Sequence, residues 1–204
     1  MSTLKLSYFD LHGGRGEPAR LALACGGIDF EDHRIPRNDW PTFKAQMPFH
    51  AIPVLEVDGK VLTQSNTINR YVGKLAGLYP DDPWQAALCD EVMDAVEDVG
   101  HKIVATFFMA DEEKKAAREA LAQGPIPLYL KRLNSFLKER GGEYFADGRL
   151  TVADLKVFVW IRQLRSGILD HIPAAIVDQH APLLVQHFAR VNDTPNIRAY
   201  YSNR

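Results

Sequence analysis

The sequence predicts an α/β domain followed by an all-α domain, and three observations carry that prediction. Apolar and polar residues alternate with period two only within the first 80 positions. An Asp58-Gly59 pair joins two such runs. From Asp81 onward the apolar residues recur three or four apart, the spacing of helices. The stretch YPDDPW at 79–84 has the proline and aspartate density of a linker, so residues 1–80 are expected to form one domain and 81–204 the other.

The elements follow in order. Leu4, Leu6 and Tyr8 alternate with Lys5, Ser7 and Phe9 as a first strand. Pro18 then stands where a first helical turn tolerates it, and ARLALACGG reads as a helix ending at Gly26 or Gly27. FEDHRI is a second strand, and DWPTFKAQMP a loop with at most one helical turn. IPVLEVDGKVLTQS gives two strands about Asp58-Gly59, a pair suited to the type I′ turn, which needs positive φ at both central residues. SNTINRYVGKLAGL begins with a polar cap and continues as a helix. Strand, helix, strand, hairpin, helix (βαβ-ββα) is the order of a thioredoxin-like domain. In the second half, Leu88, Val92, Val96, Val99, Ile103 and Phe107 mark one long amphipathic helix. Three more helical stretches follow, DEEKKAAREALAQG, PLYLKRLNSFLKERGG and LTVADLKVFVWIRQL. The last opens on Thr151-Val-Ala-Asp154, a capping box with Asp in place of Glu, and the remainder is helix and loop.

Composition narrows the class. The 204 residues allow one large domain or two small ones, and 24 basic against 26 acidic groups give a formal charge of −2. That balance argues against nucleic acid or an anionic membrane as partner. No apolar run approaches the ~20 residues of a membrane span, and MSTLKLSYF lacks the basic and apolar regions of a signal peptide. Cys25 and Cys89 are the only cysteines, which fits a reducing, cytoplasmic setting and no disulfide framework. The seven histidines show no metal-ligand grouping, so no metal is expected, and His180 and His187 read as surface residues.

Gly14, Gly16 and Ala19 form G-x-G-x-x-A, with Glu31 and Asp32 on the next strand, the outline of a dinucleotide-binding turn. The third strand, however, turns back on itself, and about 78 residues cannot hold two mononucleotide halves. Pro18 also removes an N–H from the helix start that should face a phosphate. Thiol–disulfide exchange needs C-x-x-C at the first strand–helix junction, and DLHGGRGE has no sulfur. There is no G-x-S-x-G nucleophile elbow either. What the strand end offers is Tyr8. It is either a core aromatic or a hydroxyl that donates to an anion over the sheet edge. A thiolate would suit: one charge-assisted hydrogen bond, worth roughly 1.5–3 kcal/mol, lowers a thiol pKa by about one to two units.

Taken together, YFDLHGGRGEPARLAL, FEDHRI, DWPTFK, MPFHAIPVLEVDGKVLTQSNTINRYV and LTVADLKVF resemble the cytosolic glutathione transferases. The likeness is greatest to the sigma class, which includes a glutathione-dependent prostaglandin D synthase, and it runs along nearly the whole chain. The resemblance implies a homodimeric enzyme that takes glutathione as co-substrate, binds no cofactor, and adds its thiolate to apolar electrophiles. By the same resemblance Tyr8 holds the thiolate and Arg15 points at the sulfur, against the alternative of a solvated loop arginine. Trp40 and Lys44 flank the glycyl end. Ala51, Ile52 and Pro53 form a cis-proline junction whose backbone pairs with the cysteinyl amide, against the alternative of an ordinary edge-strand start. Gln64 and Ser65 hold the γ-glutamyl carboxylate at a helix N-terminus, where Ser65 is otherwise a plain cap. Asp98, on the Asp90, Asp94, Asp98 row, reaches the γ-glutamyl ammonium in the neighbouring subunit, against the alternative of a solvated acidic face. Phe9, Leu11, Gly100, Val104 and Phe108 bound the electrophile site.

Three departures from the family pattern bear on this. The HGGRG loop is one residue longer than the usual R-G-R-A-E. Ala51 stands where a lysine or arginine is common, with His50 before it. Gly100 and Ala105 replace the methionine and tryptophan that shape the synthase pocket, so prostaglandin synthesis is not expected. The alternatives are a glutathione-dependent peroxidase or isomerase at the same site, and a non-catalytic binder or crystallin-like structural relative.

Overall fold

In the computed structural model, which describes residues 2–202, β1 (Leu4–Phe9) lies inside a four-stranded sheet ordered β2-β1-β3-β4. β2 (Glu31–Ile35) runs parallel to β1, and the crossover between them is α1 (Glu17–Cys25). β3 (Val54–Val57) pairs antiparallel to β1, and β4 (Lys60–Thr63) antiparallel to β3. Asp58 (φ 50°) and Gly59 (φ 77°) make the turn between them, as the hairpin pair requires. α2 (Trp40–Lys44) is the single helical turn of DWPTFK, and α3 (Ser65–Leu75) packs beside α1. Leu6, Leu21, Leu23, Ile35, Leu55, Ile68 and Val72 form the core of this unit, sealed from solvent.

The second unit spans Pro80–Thr194. It contains α4 (Pro83–Ala105), α5 (Asp111–Gln123), α6 (Pro125–Glu139), α7 (Val152–Arg165), α8 (Ile176–His180) and α9 (Pro182–Asn192). α4 and α9 both pack on α7, which is buried around nearly its whole circumference. That is why LTVADLKVFVWIRQL carries apolar residues on every face. A buried lysine on this helix, Lys156, donates to Glu97 of α4. The capping box forms as the sequence predicts, with Asp154 accepting from the Thr151 backbone N–H (2.7 Å).

Three expectations need correction. α10 (Pro195–Ser202) belongs with the first unit, not with residues 81–194. Asn196 there donates to the Cys25 carbonyl (2.9 Å), and Tyr200 accepts from Arg34 (3.3 Å). Phe107 leaves the apolar stripe, because α4 stops at Ala105 and a 3₁₀ turn (Thr106–Phe108) swings it outward, while Cys89 and Met93 fill the buried face. His187 is fully buried, its Nε2 2.9 Å from Asp154 Oδ1, so a carboxylate and not solvent partners that nitrogen. None of the described helices is long and apolar enough to cross a membrane.

Candidate functional site

The register of the sheet brings three segments level at one end. Ser7 of β1 faces Val54 of β3, and Val54 faces Thr63 of β4. One step further along the same strands stand Tyr8, Pro53 and Gln64. Tyr8 is 7 % exposed. Its hydroxyl oxygen accepts from the Arg15 backbone N–H (2.9 Å), which orients the hydroxyl's own donor away from the loop.

The two glycines of the loop owe their identity to that ring. A Cβ on Gly16 would lie 2.6 Å from Tyr8 Cδ1, and a Cβ on Gly14 would overlap Tyr8 Oη and come within 3.3 Å of its Cζ. The loop backbone therefore runs flat along one edge of the phenol, from Cβ to hydroxyl. The glycine pattern is therefore explained without a dinucleotide: a side chain at either position would collide with the Tyr8 ring. The first turn of α1 is likewise occupied by the fully buried carboxylate of Glu17. Gly16 has ordinary helical φ (−86°), so Gly16→Ala introduces only the clash. That substitution is expected to cost about 1–3 kcal/mol of stability and to lower turnover by displacing the hydroxyl. Urea melts and steady-state rates on the same preparation check both.

Arg20 is the residue that sequence reasoning missed. It is fully buried in α1, donating from Nη2 to Phe9 O (3.2 Å), from Nη1 to Leu11 O (3.0 Å) and from Nε to Asp32 (2.8 Å). It thus pins the chain where it leaves β1, with its guanidinium carbon 5.7 Å from the Tyr8 ring centroid. The available signal was a lone arginine in an apolar helix with Glu17 three residues before it. Beside it, Asp32 and Asp10 accept from Arg34. Burial opposes the Arg34 charge, but those carboxylates outweigh it and hold its pKa above the usual value. His12 stands 3.4 Å from Glu17 and edge-on to Tyr200 and Tyr201 of α10.

The other candidates fall as follows. Trp40 opens α2 and meets the Phe9 ring at 5.4 Å, whereas Lys44 is exposed at the end of that helix. Phe49 and His50 both take positive φ (54° and 50°) and lead into extended Ala51. The Ile52-Pro53 bond is cis. Gln64 (φ 70°) is the N-cap position of α3, and Ser65 its first, buried residue. Leu11 is half-buried in the loop after β1. In the second unit, Asp98 and Val104 are on the exposed side of α4, Gly100 is half-buried there, and Phe108 is 89 % exposed in the 3₁₀ turn.

The chain's own thiols are poor nucleophiles. Burial pushes Cys25 up to about 11 and Cys89 up to about 12. Thiol reagents at neutral pH are expected to label the native protein slowly and to reach both cysteines only on unfolding. Because folding raises these pKa values, their contribution to stability is complete below the free-thiol value of 9.0 and is lost as pH rises towards about 11 and about 12.

Residues 4–74 match the glutathione S-transferase N-terminal domain family, and residues 97–204 the glutathione S-transferase C-terminal domain family. Glutathione S-transferase 1 of Ascaris suum is 34 % identical over 100 % of this chain and 98 % of its own length. The chain belongs to the glutathione S-transferase family. A solved structure of prostaglandin synthase D of Nilaparvata lugens superposes on this transferase with a TM-score of 0.87, at 34 % identity over 99 % of this chain and 98 % of that one. A monomeric glutathione S-transferase from the hookworm Necator americanus does so with a TM-score of 0.80, at 31 % identity over 99 % and 97 % of the two chains. The βαβ-ββα order and the helical second unit are those of this family's fold.

Proposed function

We propose that the protein transfers the thiolate of glutathione to apolar electrophiles. The observation that supports this best is the Tyr8 hydroxyl at the strand end, held by the Arg15 N–H on a loop moulded to its ring. A glutathione thiol with a free pKa near ~8.5 is mostly protonated at pH 7. Donation from Tyr8, with the charge of Arg15 nearby, favours its ionised form. The tripeptide then lies along the sheet end. Its cysteinyl amide pairs with Ile52 beside Ala51 and cis-Pro53, and its γ-glutamyl carboxylate meets Gln64 and Ser65, where a helix start presents N–H groups. Lys44 and Trp40 take the glycyl end. Binding the thiolate beside its target supplies the proximity that a bimolecular encounter in water lacks. Phe9 and Leu11, on and just after β1, are assigned to the electrophile.

Steady-state turnover of chlorodinitrobenzene with glutathione tests this reading. Absence of turnover at saturating glutathione would leave a ligand carrier as the better account. Lipid peroxides and unsaturated carbonyls in the same screen separate peroxidase or isomerase use of the thiolate from conjugation.

The working form is proposed to be a cytoplasmic homodimer in which Asp98 serves the glutathione bound by the neighbouring subunit. Asp98→Asn is then expected to raise the KM for glutathione while leaving the dimer mass in solution intact. An unchanged KM rejects the role.

A further inference from the structure

The donors of Arg20 reach both ends of the loop that caps Tyr8. At the near end, Nη2 donates to the Phe9 carbonyl (3.2 Å) and Nη1 to that of Leu11 (3.0 Å). The Leu11 N–H also closes on Phe9 O (2.9 Å), so the chain turns sharply as it leaves β1. At the far end, the Arg20 backbone N–H donates to the Gly16 carbonyl (3.3 Å). Four residues, His12-Gly13-Gly14-Arg15, separate Leu11 from Gly16, and one of them gives its N–H to the Tyr8 hydroxyl (Arg15, 2.9 Å). Glycine loses more freedom on ordering than any other residue, so a stretch this rich in it needs fixed ends to keep one conformation.

The remaining contacts fix the plane of the guanidinium. Nε donates to Asp32 of β2 (2.8 Å), and Nη1 also to the buried Glu17 carboxylate (3.3 Å). A fully buried arginine is a costly way to fill a core, since apolar residues of similar volume often serve as well or better. What it adds is a planar fork whose N–H vectors are set relative to one another. We propose that Arg20 is a positioning residue for the thiolate. It clamps the loop ends so that the Arg15 N–H takes one lone pair of the Tyr8 oxygen, which directs the phenol hydrogen away from the loop and towards the sulfur. A hydroxyl that accepts a hydrogen bond is also the stronger donor. The inference rests on the transferase reading above and adds to it a buried residue that touches neither substrate.

The test is the ultraviolet thiolate absorbance of the binary glutathione complex across pH, which needs no electrophile. It is read on wild type, Arg20→Lys, Glu17→Gln, Tyr8→Phe and the Tyr8→Phe/Arg20→Lys pair. Arg20→Lys keeps a cation beside Glu17 and Asp32 but loses the fork. It is expected to lower the thiolate fraction at pH 7 by about threefold or more. Affinity for S-methylglutathione, which has no thiol to ionise, should stay within about twofold of wild type. Glu17→Gln removes a charge but keeps the fork, and should ionise glutathione as wild type does. In the Tyr8→Phe background Arg20→Lys should change almost nothing, because the hydroxyl it positions is gone. Should Arg20→Lys fail to fold, Glu17→Gln/Arg20→Met, which leaves no lone charge at residue 17, is read in the same way. Variants that melt earlier but keep the wild-type thiolate fraction, or none that fold at all, show a purely structural arginine and overturn the inference. So does an Arg20→Lys effect of equal size in the Tyr8→Phe background, or a Glu17→Gln variant as impaired as Arg20→Lys. A wild-type complex without thiolate overturns the transferase reading itself, and this inference with it.

Discussion

Tyr8→Phe is expected to lower kcat/KM for chlorodinitrobenzene by about tenfold to about a hundredfold, the kinetic equivalent of one charge-assisted hydrogen bond. The substitution is clean by construction. The phenylalanine ring still fills the space that Gly14 and Gly16 leave, so the loop keeps its template and loses only the oxygen that accepts from Arg15. Since the proposed bond from Tyr8 would favour the thiolate, the pH profile of kcat/KM should move to higher pH by about one to two units. Binding of glutathione through the sheet end and the α3 start should change little, so the effect falls on kcat more than on the glutathione KM. Ultraviolet thiolate absorbance of the binary complex gives a second reading, free of the electrophile. A Tyr8→Phe protein with wild-type rate and profile would make Tyr8 a core aromatic and nothing more.

Asp154→Ala should cost about 3–5 kcal/mol of stability, the range for removing one partner from a buried charged network. The Asp154 carboxylate is fully buried and receives the Phe145 backbone N–H (3.0 Å), the Thr151 N–H and hydroxyl (2.7 Å each) and, at 2.9 Å, His187 Nε2. Its loss strands those donors in a core where water cannot replace the acceptor. It also uncaps α7, the helix on which α4 and α9 both pack. Against the 5–15 kcal/mol of a typical domain, such a loss is a large fraction. Urea unfolding followed by circular dichroism reads it directly, and a loss under about 1 kcal/mol would mean that the network relaxes around the gap.

Local chemistry was legible in the sequence wherever a short stretch decides the outcome. Asp58-Gly59 announces the hairpin, alternation at 4–9 the first strand, and Thr151 with Asp154 the start of α7. What the sequence hid depends on contacts between distant residues. Nothing in NIRAYYSNR says that Tyr200 will meet Arg34, and nothing in a surface-looking His187 says that Asp154 will face it. Phe107 fits the stripe of α4 by spacing, but the helix ends first. The candidate site was legible by a different route. Strand order and the missing sulfur raised Tyr8 as one of two readings, and its role, like those of Trp40, Lys44, Ile52, Gln64 and Asp98, rested on family resemblance. Gly14 and Gly16 match a phosphate loop in pattern, and only the position of the Tyr8 ring shows which constraint selected them.

The packing of α10 against α1 sets an order of events during synthesis. The ribosome delivers the sheet early, yet the helix that supplies Tyr200 and Asn196 emerges only after the six α-helices of the second unit have been translated. Until then Arg34 lacks the Tyr200 hydroxyl and the Cys25 carbonyl lacks Asn196, and the loop beneath Tyr8 has no cover from that side. A nascent chain stalled before Pro195 would therefore carry a thioredoxin-like unit with one wall missing, open to proteases at the loop that follows β1.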